Sequence, residues 1–315
     1  MTKFAVVFPG QGSQSVGMLR EIATRQPIIE QTFAAASAIL GYDLWQLIQQ
    51  GPESQLNQTT YTQPALLTVS IALWRVWQNA NGPMPKMLAG HSLGEYTALV
   101  VAGALRFEDA VHLVAKRGEF MQSAVPVGEG AMAAILGLAD DKVISACKEA
   151  AQITNACVAA ANYNAPGQVV IAGQKAAVES AIEGCKALGA KRAMALPVSI
   201  ASHCDLMRPA SEQLAKILAA TPFVSPKIPV LHNVDADTHS HPDDIRELLA
   251  AQLYSPVRWV ETAQALANDG FEMVIECGPG NVLAGLNKRI DERLKTLTIA
   301  QPEGLQQALT CVAGV

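Results

Sequence analysis

The sequence predicts an α/β protein with a mostly parallel sheet, and three features of its pattern support this prediction. Short apolar runs alternate with longer amphipathic segments along most of the chain, as strands and helices do in α/β folds. A Gly-x-Ser-x-Gly motif indicates a sharp turn from a strand into a helix, the nucleophile elbow of α/β-hydrolase-like cores. One internal segment, residues 128–198, follows the order βαββαβ instead.

The elements before residue 128 alternate between the two kinds of structure. A continuous apolar run over residues 4–8 predicts a buried strand, which ends at Pro9-Gly10. A second short strand is predicted at 87–89, directly before the Gly-x-Ser-x-Gly motif. Apolar residues at helical spacing predict four helices, at 17–39, 64–79, 93–102 and 107–121.

The shorter elements of residues 128–198 predict a self-contained unit. We expect strands and helices in the order of a ferredoxin-like fold, in which two helices cover an antiparallel sheet, at 131–138, 140–152, 156–161, 168–172, 174–188 and 190–198. The sequence therefore predicts an inserted small domain at 128–198. The large domain would consist of residues 1–127 and 199–315, with later strands at 230–234 and 273–276. A cleft between two such lobes is where a ligand is expected to bind.

Composition excludes several classes of function. A net charge of −5 without a Lys/Arg stripe argues against a nucleic-acid partner. The longest apolar stretches fall short of the ~20 residues that span a bilayer, and no leader is evident, so we expect a cytoplasmic protein. The six cysteines are scattered without metal-ligand spacing, which predicts free thiols and no metal site.

Ser92 is the first candidate for chemistry. It stands between Gly90 and Gly94, where a short apolar run meets a helical pattern. A strand that turns sharply into a helix needs glycine on both sides, and it leaves the serine hydroxyl exposed at the helix N-terminus. Ser92 is therefore a candidate nucleophile, the alternative being a tight turn whose serine only caps the next helix.

A serine nucleophile needs a base, and His203 is the candidate among six histidines. It directly follows the predicted small domain, so it can face the cleft. Over a hundred residues follow it, whereas the histidine of an α/β hydrolase usually lies near the C-terminus. The acceptor that orients its Nδ1–H can then be a backbone carbonyl instead of a carboxylate. A purely structural histidine is the alternative.

The glycine-rich loop after the first strand suggests a place for developing negative charge. Its spacing, Gly10, Gly12 and then Gly17, does not match a dinucleotide-binding fingerprint. We predict instead that the backbone N–H of Gln11 lies beside that of Leu93 at the elbow. Two such donors form an oxyanion hole. A plain strand-to-helix turn is the alternative.

Arg117 interrupts an apolar stripe on the predicted helix 107–121. Ala110, Val114 and Met121 share its helical face, so the guanidinium should point inward. A buried arginine needs an anion. Either a neighbouring Asp or Glu provides it, or a substrate carboxylate does, held by two parallel N–H···O bonds.

Seven segments that span nearly the whole chain resemble the malonyl-CoA:acyl carrier protein transacylases of type II fatty acid synthesis. They occur in that family's order and are jointly far more specific than any one of them. These segments are Phe8-Pro9-Gly10-Gln11-Gly12-Ser13-Gln14, Thr62-Gln63-Pro64-Ala65, Gly90-His91-Ser92-Leu93-Gly94-Glu95-Tyr96, Arg117-Gly118, Asn162-Tyr163-Asn164-Ala165-Pro166-Gly167-Gln168, Ser202-His203 and Glu276-Cys277-Gly278-Pro279-Gly280.

The resemblance implies roles for the reacting groups. Ser92 would be the acyl-accepting nucleophile and His203 its base. The main-chain N–H groups of Gln11 and Leu93 would hold the oxyanion. The main-chain carbonyl of Gln252 would orient the imidazole of His203.

The resemblance also implies the substrate and the course of the reaction. Arg117 would bind the malonyl carboxylate, and Gln63 and Asn162 would line the pocket. The malonyl group would pass from malonyl-CoA to Ser92 and then to the pantetheine thiol of an acyl carrier protein, in a ping-pong reaction. The partners would be coenzyme A thioesters and the carrier protein, and no metal or redox cofactor is expected.

Other activities stay open at this point. Ile200-Ala201-Ser202-His203 partly resembles the Tyr-Ala-Ser-His motif of methylmalonyl-specific polyketide acyltransferases, so a polyketide or other secondary pathway with malonyl or methylmalonyl specificity is one alternative. A serine thioesterase is another, although a hydrolase of simple acyl chains would need an apolar tunnel where Arg117 stands. A catalytically idle scaffold that binds carrier protein is a third.

Overall fold

The computed structural model describes residues 3–198 and 200–313, and the strands in that part of the chain form two sheets. All pairs of neighbouring strands in the first sheet are parallel, which confirms the predicted α/β class with a mostly parallel sheet. Its order is β7-β2-β1-β8-β9. The bounds are Phe4–Phe8 for β1, Met87–Gly90 for β2, Val230–Leu231 for β7, Met273–Glu276 for β8 and Lys295–Thr298 for β9.

The central strand β1 is buried on both faces. Phe4, Val6 and Phe8 point into one apolar core, while Ala5 and Val7 point into the other. This alternation follows from the period of two along a strand. The continuous apolar run in the sequence therefore reflects a strand that helices cover on both sides.

Helices cover both faces of the parallel sheet. The larger core holds the buried sides of α1 Arg20–Ala23, α2 Ile28–Leu40, α3 Leu44–Gln50, α4 Glu53–Leu56, α5 Thr59–Asn79, α6 Gly94–Val101, α7 Phe107–Ser123, α10 Arg208–Ala220, α11 Pro242–Ala251 and α14 Pro302–Ala313. The smaller core on the opposite face holds those of α12 Trp259–Asn268 and α13 Val282–Ile290. Within the described residues, no helix is both long enough and apolar enough to cross a membrane.

The second sheet is antiparallel and lies within the segment that the sequence sets apart. Its strands are β3 Gly130–Leu136, β4 Val158–Ala165, β5 Gln168–Gln174 and β6 Arg192–Ala195, in the order β4-β5-β3-β6. One face packs on α8 Asp140–Thr154 and α9 Lys175–Ala187. The other face meets Ala201 and Cys204, which flank the candidate base.

Several predicted elements differ in extent from the observed ones. The helix predicted at 64–79 begins at Thr59, and the strand predicted at 156–161 is Val158–Ala165. The single helix predicted at 17–39 is two helices, because Pro27 lacks the backbone N–H that a continuous helix needs there. The strand predicted at 190–198 is only β6. The strand predicted at 230–234 ends at Leu231, because the next residues bond to side chains instead of extending the sheet.

The domain boundaries at 127/128 and 198/199 stay a prediction. Ser199, where the second segment of the large domain is predicted to begin, lies outside the described residues. Residues 1, 2, 314 and 315 at the ends of that domain also lie outside them.

Candidate active site

The turn between β2 and α6, which we call the elbow (residues 90–94), explains both glycines of the motif. A Cβ on Gly90 would lie 1.9 Å from the carbonyl carbon of Gly94, and a Cβ on Gly94 would lie 2.0 Å from the carbonyl oxygen of Phe8. Ser92 has a φ of 51°, in the left-handed region that disfavours residues with a Cβ. The elbow thus holds a strained, half-buried serine at the start of a helix.

Ser92 and His203 lie in hydrogen-bond contact although 111 positions separate them in the chain. The distance from Ser92 Oγ to His203 Nε2 is 2.8 Å, and His203 Nδ1 lies 2.8 Å from the main-chain oxygen of Gln252. Since a carbonyl can only accept, Nδ1 carries the hydrogen and Nε2 offers its lone pair to the serine hydroxyl. His203 has a φ of 63°, so both groups of this pair occupy left-handed backbone positions.

The imidazole of His203 is held in its neutral form. Burial, reinforced by the nearby positive charge of Arg117, lowers the pKa of His203 from 6.5 to about 3, against the smaller opposing effect of the bond to Gln252. A neutral imidazole can accept the proton of Ser92 at any pH near neutrality. The pair therefore has the geometry and the protonation state of a nucleophile with its general base.

Arg117 points inward from α7 and is 1% exposed. It donates to Gln63 Oε1 at 2.9 Å, to Gln252 Oε1 at 2.9 Å and to Ser92 Oγ at 3.1 Å. These partners are neutral, and no Asp or Glu of the described residues forms an ion pair with it. The alternative in which a neighbouring acid neutralises Arg117 by direct contact is therefore wrong. A buried positive charge without a contacting anion remains beside the nucleophile.

The glycine-rich loop lies against the elbow. Phe8 pairs with Gly90 in register, so Gln11 and Leu93 each stand three positions beyond the ends of adjacent parallel strands. A Cβ on Gly10 would lie 2.5 Å from the carbonyl oxygen of His91, so only glycine allows this close approach. Both Gln11 and Leu93 line the same cavity as Ser92, and within residues 3–198 and 200–313 their backbone N–H groups have no protein acceptor.

A cavity of about 380 Å³ lies between the two sheets and contains these groups. Gln63 lines it beside Arg117, and its Nε2 is held 3.3 Å from Met121 Sδ. Asn162 lines the opposite side, where a bulge in β4 and a bridge to Val257 place it. Gln252 lies behind the cavity wall, fully buried. The structure thus gathers the sequence-predicted site residues around one space, while their roles stay predictions.

Two buried residues of the elbow region had no assigned role in the sequence analysis. Asn233 accepts the N–H of Ser92 at 2.6 Å and donates to the Gly90 carbonyl at 2.7 Å, so its amide holds the elbow closed. The carboxylate of Glu95 accepts the N–H of Asn233 at 3.0 Å. Glu95 was visible as a lone acid in the apolar helix that follows Ser92, whereas nothing in the sequence around Asn233 relates it to Ser92, 141 positions away.

Histidine and cysteine side chains elsewhere form no metal site in the described residues, where no group of three or more potential ligands occurs. His91 Nε2 contacts Asn164 Oδ1 at 2.8 Å across the cavity mouth and does not bond to Ser92. The six cysteines are free thiols.

A comparison with protein families identifies the family to which the chain belongs. The profile described as "Acyl transferase domain" matches residues 5–301, which include every candidate residue and both sheets except Phe4. The chain belongs to the acyl transferase domain family. This acyl transferase is 56% identical over 310 residues to the malonyl CoA-acyl carrier protein transacylase of Salmonella typhimurium, with 98% of this chain and 100% of that protein covered.

Solved structures are similar to this acyl transferase along its whole length. The malonyl CoA-acyl carrier protein transacylase of Coxiella burnetii gives a TM-score of 0.96 at 51% identity, covering 98% of this chain and 97% of the other. A malonyl-transacylase in complex with its type II PKS acyl-carrier protein (PlMCAT:AntF) gives a TM-score of 0.97 at 52% identity, covering 98% and 100%. The family resemblance found in the sequence is thereby confirmed.

Proposed function

We propose that this acyl transferase moves the malonyl group of malonyl-CoA to the phosphopantetheine thiol of an acyl carrier protein, for fatty acid synthesis. One observation carries the proposal: the Ser92–His203 pair shares its cavity with a buried arginine that no acidic side chain of the described residues contacts. An acyl group with a second carboxylate would satisfy that arginine while its thioester lies at the serine. The names of the relatives support the same substrate and partner.

In the first half-reaction Ser92 Oγ attacks the thioester carbonyl as His203 Nε2 takes the hydroxyl proton. The carbonyl oxygen becomes negatively charged, and the N–H groups of Gln11 and Leu93 would stabilise it, each contributing roughly 3 kcal/mol to the transition state. The Gln252 carbonyl, through its bond to Nδ1, would keep the imidazole oriented and support its positive charge. Collapse of the intermediate breaks the C–S bond, and coenzyme A leaves with the proton from His203.

In the second half-reaction the same groups act in reverse. The carrier-protein thiol gives its proton to His203 and attacks the malonyl-serine ester, and Ser92 recovers the proton as it leaves. These steps assign each proton and the acyl group to a residue or a thiol. We therefore propose no cofactor beyond the phosphopantetheine of the carrier protein.

Arg117 would bind the malonyl carboxylate by two parallel N–H···O bonds. Its hydrogen bonds to Gln63 and Gln252 fix the plane of the guanidinium. Asn162, on the opposite side of the cavity, would contact the substrate from the second sheet. Acetyl-CoA lacks the carboxylate and would leave a desolvated charge unpaired, so malonyl selection should be strong.

A polyketide pathway is a second candidate, because one similar structure is a complex with a type II PKS acyl-carrier protein. Ile200 and Ser202 line the cavity beside His203, so two of the positions that correlate with extender choice in polyketide enzymes are in place to contact an α-methyl group. A side-by-side rate comparison of malonyl-CoA and methylmalonyl-CoA distinguishes these specificities. We expect malonyl-CoA to be faster.

We propose the finer fold assignment on topology. The order βαββαβ and the sheet order β4-β5-β3-β6 support a ferredoxin-like small domain at 128–198. The elbow at the carboxyl end of a central parallel strand supports an α/β-hydrolase-like large domain made of 1–127 and 199–315. Six free thiols are typical of a reducing compartment, which supports a cytoplasmic location.

The proposed function is tested by following a labelled malonyl group. We expect incubation with radiolabelled malonyl-CoA to leave one stable acyl group per chain, and addition of holo acyl carrier protein to remove it onto the carrier. Rapid release of free malonate would instead indicate a thioesterase. Complete absence of acylation would indicate a scaffold.

The substitution Arg117→Ala is expected to lower kcat/KM for malonyl transfer about 10²-fold or more, because a buried charge pair with the substrate is lost. Acetyl transfer should be unchanged or faster. The measurement is the transfer rate from both thioesters. Lys116→Ala is the matched control, since Lys116 precedes Arg117 on α7 and pairs outward with Glu119. Equal losses for both thioesters would contradict the carboxylate role.

A further inference from the structure

Glu95 is a fully buried carboxylate three positions after Ser92, and the mechanism above does not use it. Its Oε1 lies 2.7 Å from His232 Nδ1. Its Oε2 accepts from Asn233 N at 3.0 Å and from Gln252 Nε2 at 2.7 Å. Every one of these partners is itself fully buried. A buried acid with this set of donors is costly to desolvate and calls for a reason beyond packing.

Gln252 connects Glu95 to the reacting groups. Its side-chain Nε2 donates to Glu95 and, at 3.0 Å, to the main-chain oxygen of Ser92. Its Oε1 accepts from Arg117, and its main-chain oxygen accepts from His203. One residue therefore contacts the candidate nucleophile, its base and the candidate carboxylate-binding arginine.

The carboxylate of Glu95 favours one orientation of the Gln252 amide. An ionised carboxylate only accepts, so it binds the NH₂ end of the amide and leaves the oxygen end facing Arg117. A flipped amide would place oxygen against oxygen at one end and NH₂ against a guanidinium at the other. The main-chain oxygen of Ser92 and the guanidinium of Arg117 favour the same orientation, and the carboxylate at position 95 adds a charged acceptor to them.

Glu95 also places a negative charge in the same buried region as Arg117 and His203. It does not touch Arg117, because the Gln252 amide lies between them. The guanidinium is therefore not paired directly with Glu95, while this fixed charge offsets part of its field. Glu95 is linked to His203 through Gln252, and a negative charge placed there favours the positive imidazole that forms as Ser92 loses its proton.

We propose that Glu95 is a positioning residue for acyl transfer: it helps to hold the Gln252 amide toward Arg117 and supplies a buried negative charge that stabilises the imidazolium of His203 in the transition state. This inference rests on the proposed function. It predicts that the charge of Glu95 affects the chemical step more than the binding of malonyl-CoA.

The variant E95Q removes the charge and retains the shape. Its amide oxygen can accept from Gln252 and Asn233, and its NH₂ can donate to His232 Nδ1 once the hydrogen of that ring moves to Nε2, which has no partner among the described residues. We expect kcat of malonyl transfer to fall about tenfold while KM for malonyl-CoA changes less than about twofold. Thermal melting establishes that the variant is folded.

Two further variants complete the test. H232N keeps a donor to Glu95 and keeps the carboxylate, so its kcat should stay within about twofold of the unsubstituted protein. E95D keeps the charge with a shorter reach, and kcat should fall about threefold at unchanged KM, between the unsubstituted protein and E95Q. This variant carries the test if E95Q does not fold.

The outcomes separate the inference from the proposed function. An unaltered kcat in E95Q, or in E95D if that variant carries the test, would overturn the positioning role. Equal losses in E95Q and H232N, with raised KM, would assign Glu95 to structure alone and also overturn it. Failure of the unsubstituted protein to transfer malonyl would overturn the proposed function, whatever the variants do.

Discussion

The substitution Ser92→Ala is expected to abolish malonyl labelling and to reduce transfer to the carrier protein at least about 10⁴-fold. The alanine removes the oxygen that lies 2.8 Å from His203 Nε2, so no covalent intermediate can form. Melting should be nearly unchanged, because serine and alanine suffer the same strain at a φ of 51°. Mass spectrometry of the intact chain after exposure to malonyl-CoA measures the labelling directly.

Ser123→Ala is a suitable control for this variant. Ser123 lies at the end of α7 and donates to the helix carbonyls of Glu119 and Phe120. This control should acquire the label at the normal rate. If the Ser92→Ala variant still acquires the label, the acyl group is attached to another residue and Ser92 is not the nucleophile.

The substitution His203→Ala is expected to slow both half-reactions by about 10²–10⁴-fold, the usual contribution of a general base. Ser92 would remain in place but would lack a proton acceptor. Single-turnover acylation measures the first half-reaction separately from the second. His239→Ala serves as the control, because His239 pairs with Asp235 on a polar loop outside the cavity. A loss below about tenfold would show that another group removes the serine proton.

The same histidine sets the expected pH dependence of acylation. Its pKa, lowered from 6.5 to about 3 chiefly by burial, leaves the base neutral where an ordinary histidine would titrate. In the unsubstituted protein, kcat/KM should therefore stay level between about pH 5 and about pH 7 and decline only closer to the lowered pKa. A decline centred near pH 6.5 would contradict the buried state of the free enzyme's base.

Sequence reasoning located the parts of the site that depend on local geometry. Ser92 is recognisable because the strand, the two glycines and the helix are contiguous in the chain. Arg117 is recognisable because a charged residue within the apolar stripe of a helix points toward the protein interior. His203 was one candidate of six, and its proximity to Ser92 depends on how separate segments pack. The resemblance to a family supplied Gln252, for which the residues alone gave no signal.

The missed residues are those whose role depends on contacts between distant segments. Glu95, His232 and Asn233 form hydrogen bonds over 137 or 138 positions. Amphipathic periodicity reports which side of an element is buried, and it does not report which polar groups meet inside. The incorrect end of the strand predicted at 230–234 has the same origin, since His232 and Asn233 leave the sheet to bond with Glu95.

The period of the apolar residues and the order of the elements predicted the fold, but they did not predict where each element begins and ends. The alternation of strands and helices was enough to predict a parallel sheet with a second unit between its parts. Pro27 divides the first predicted helix through its missing N–H, a local signal that the apolar period concealed. Strand β6 ends where residues 196–198 turn to line the cavity, and β7 ends where His232 and Asn233 bond to Glu95, so both ends depend on tertiary packing.

The left-handed backbone at both Ser92 and His203 has a consequence for engineering. Glycine at either position would relieve the backbone strain. Selection for heat resistance alone would therefore favour variants that are more stable but have lost activity. Thermostabilised descendants of this protein should therefore be sought among substitutions remote from these two turns, with turnover monitored in every round.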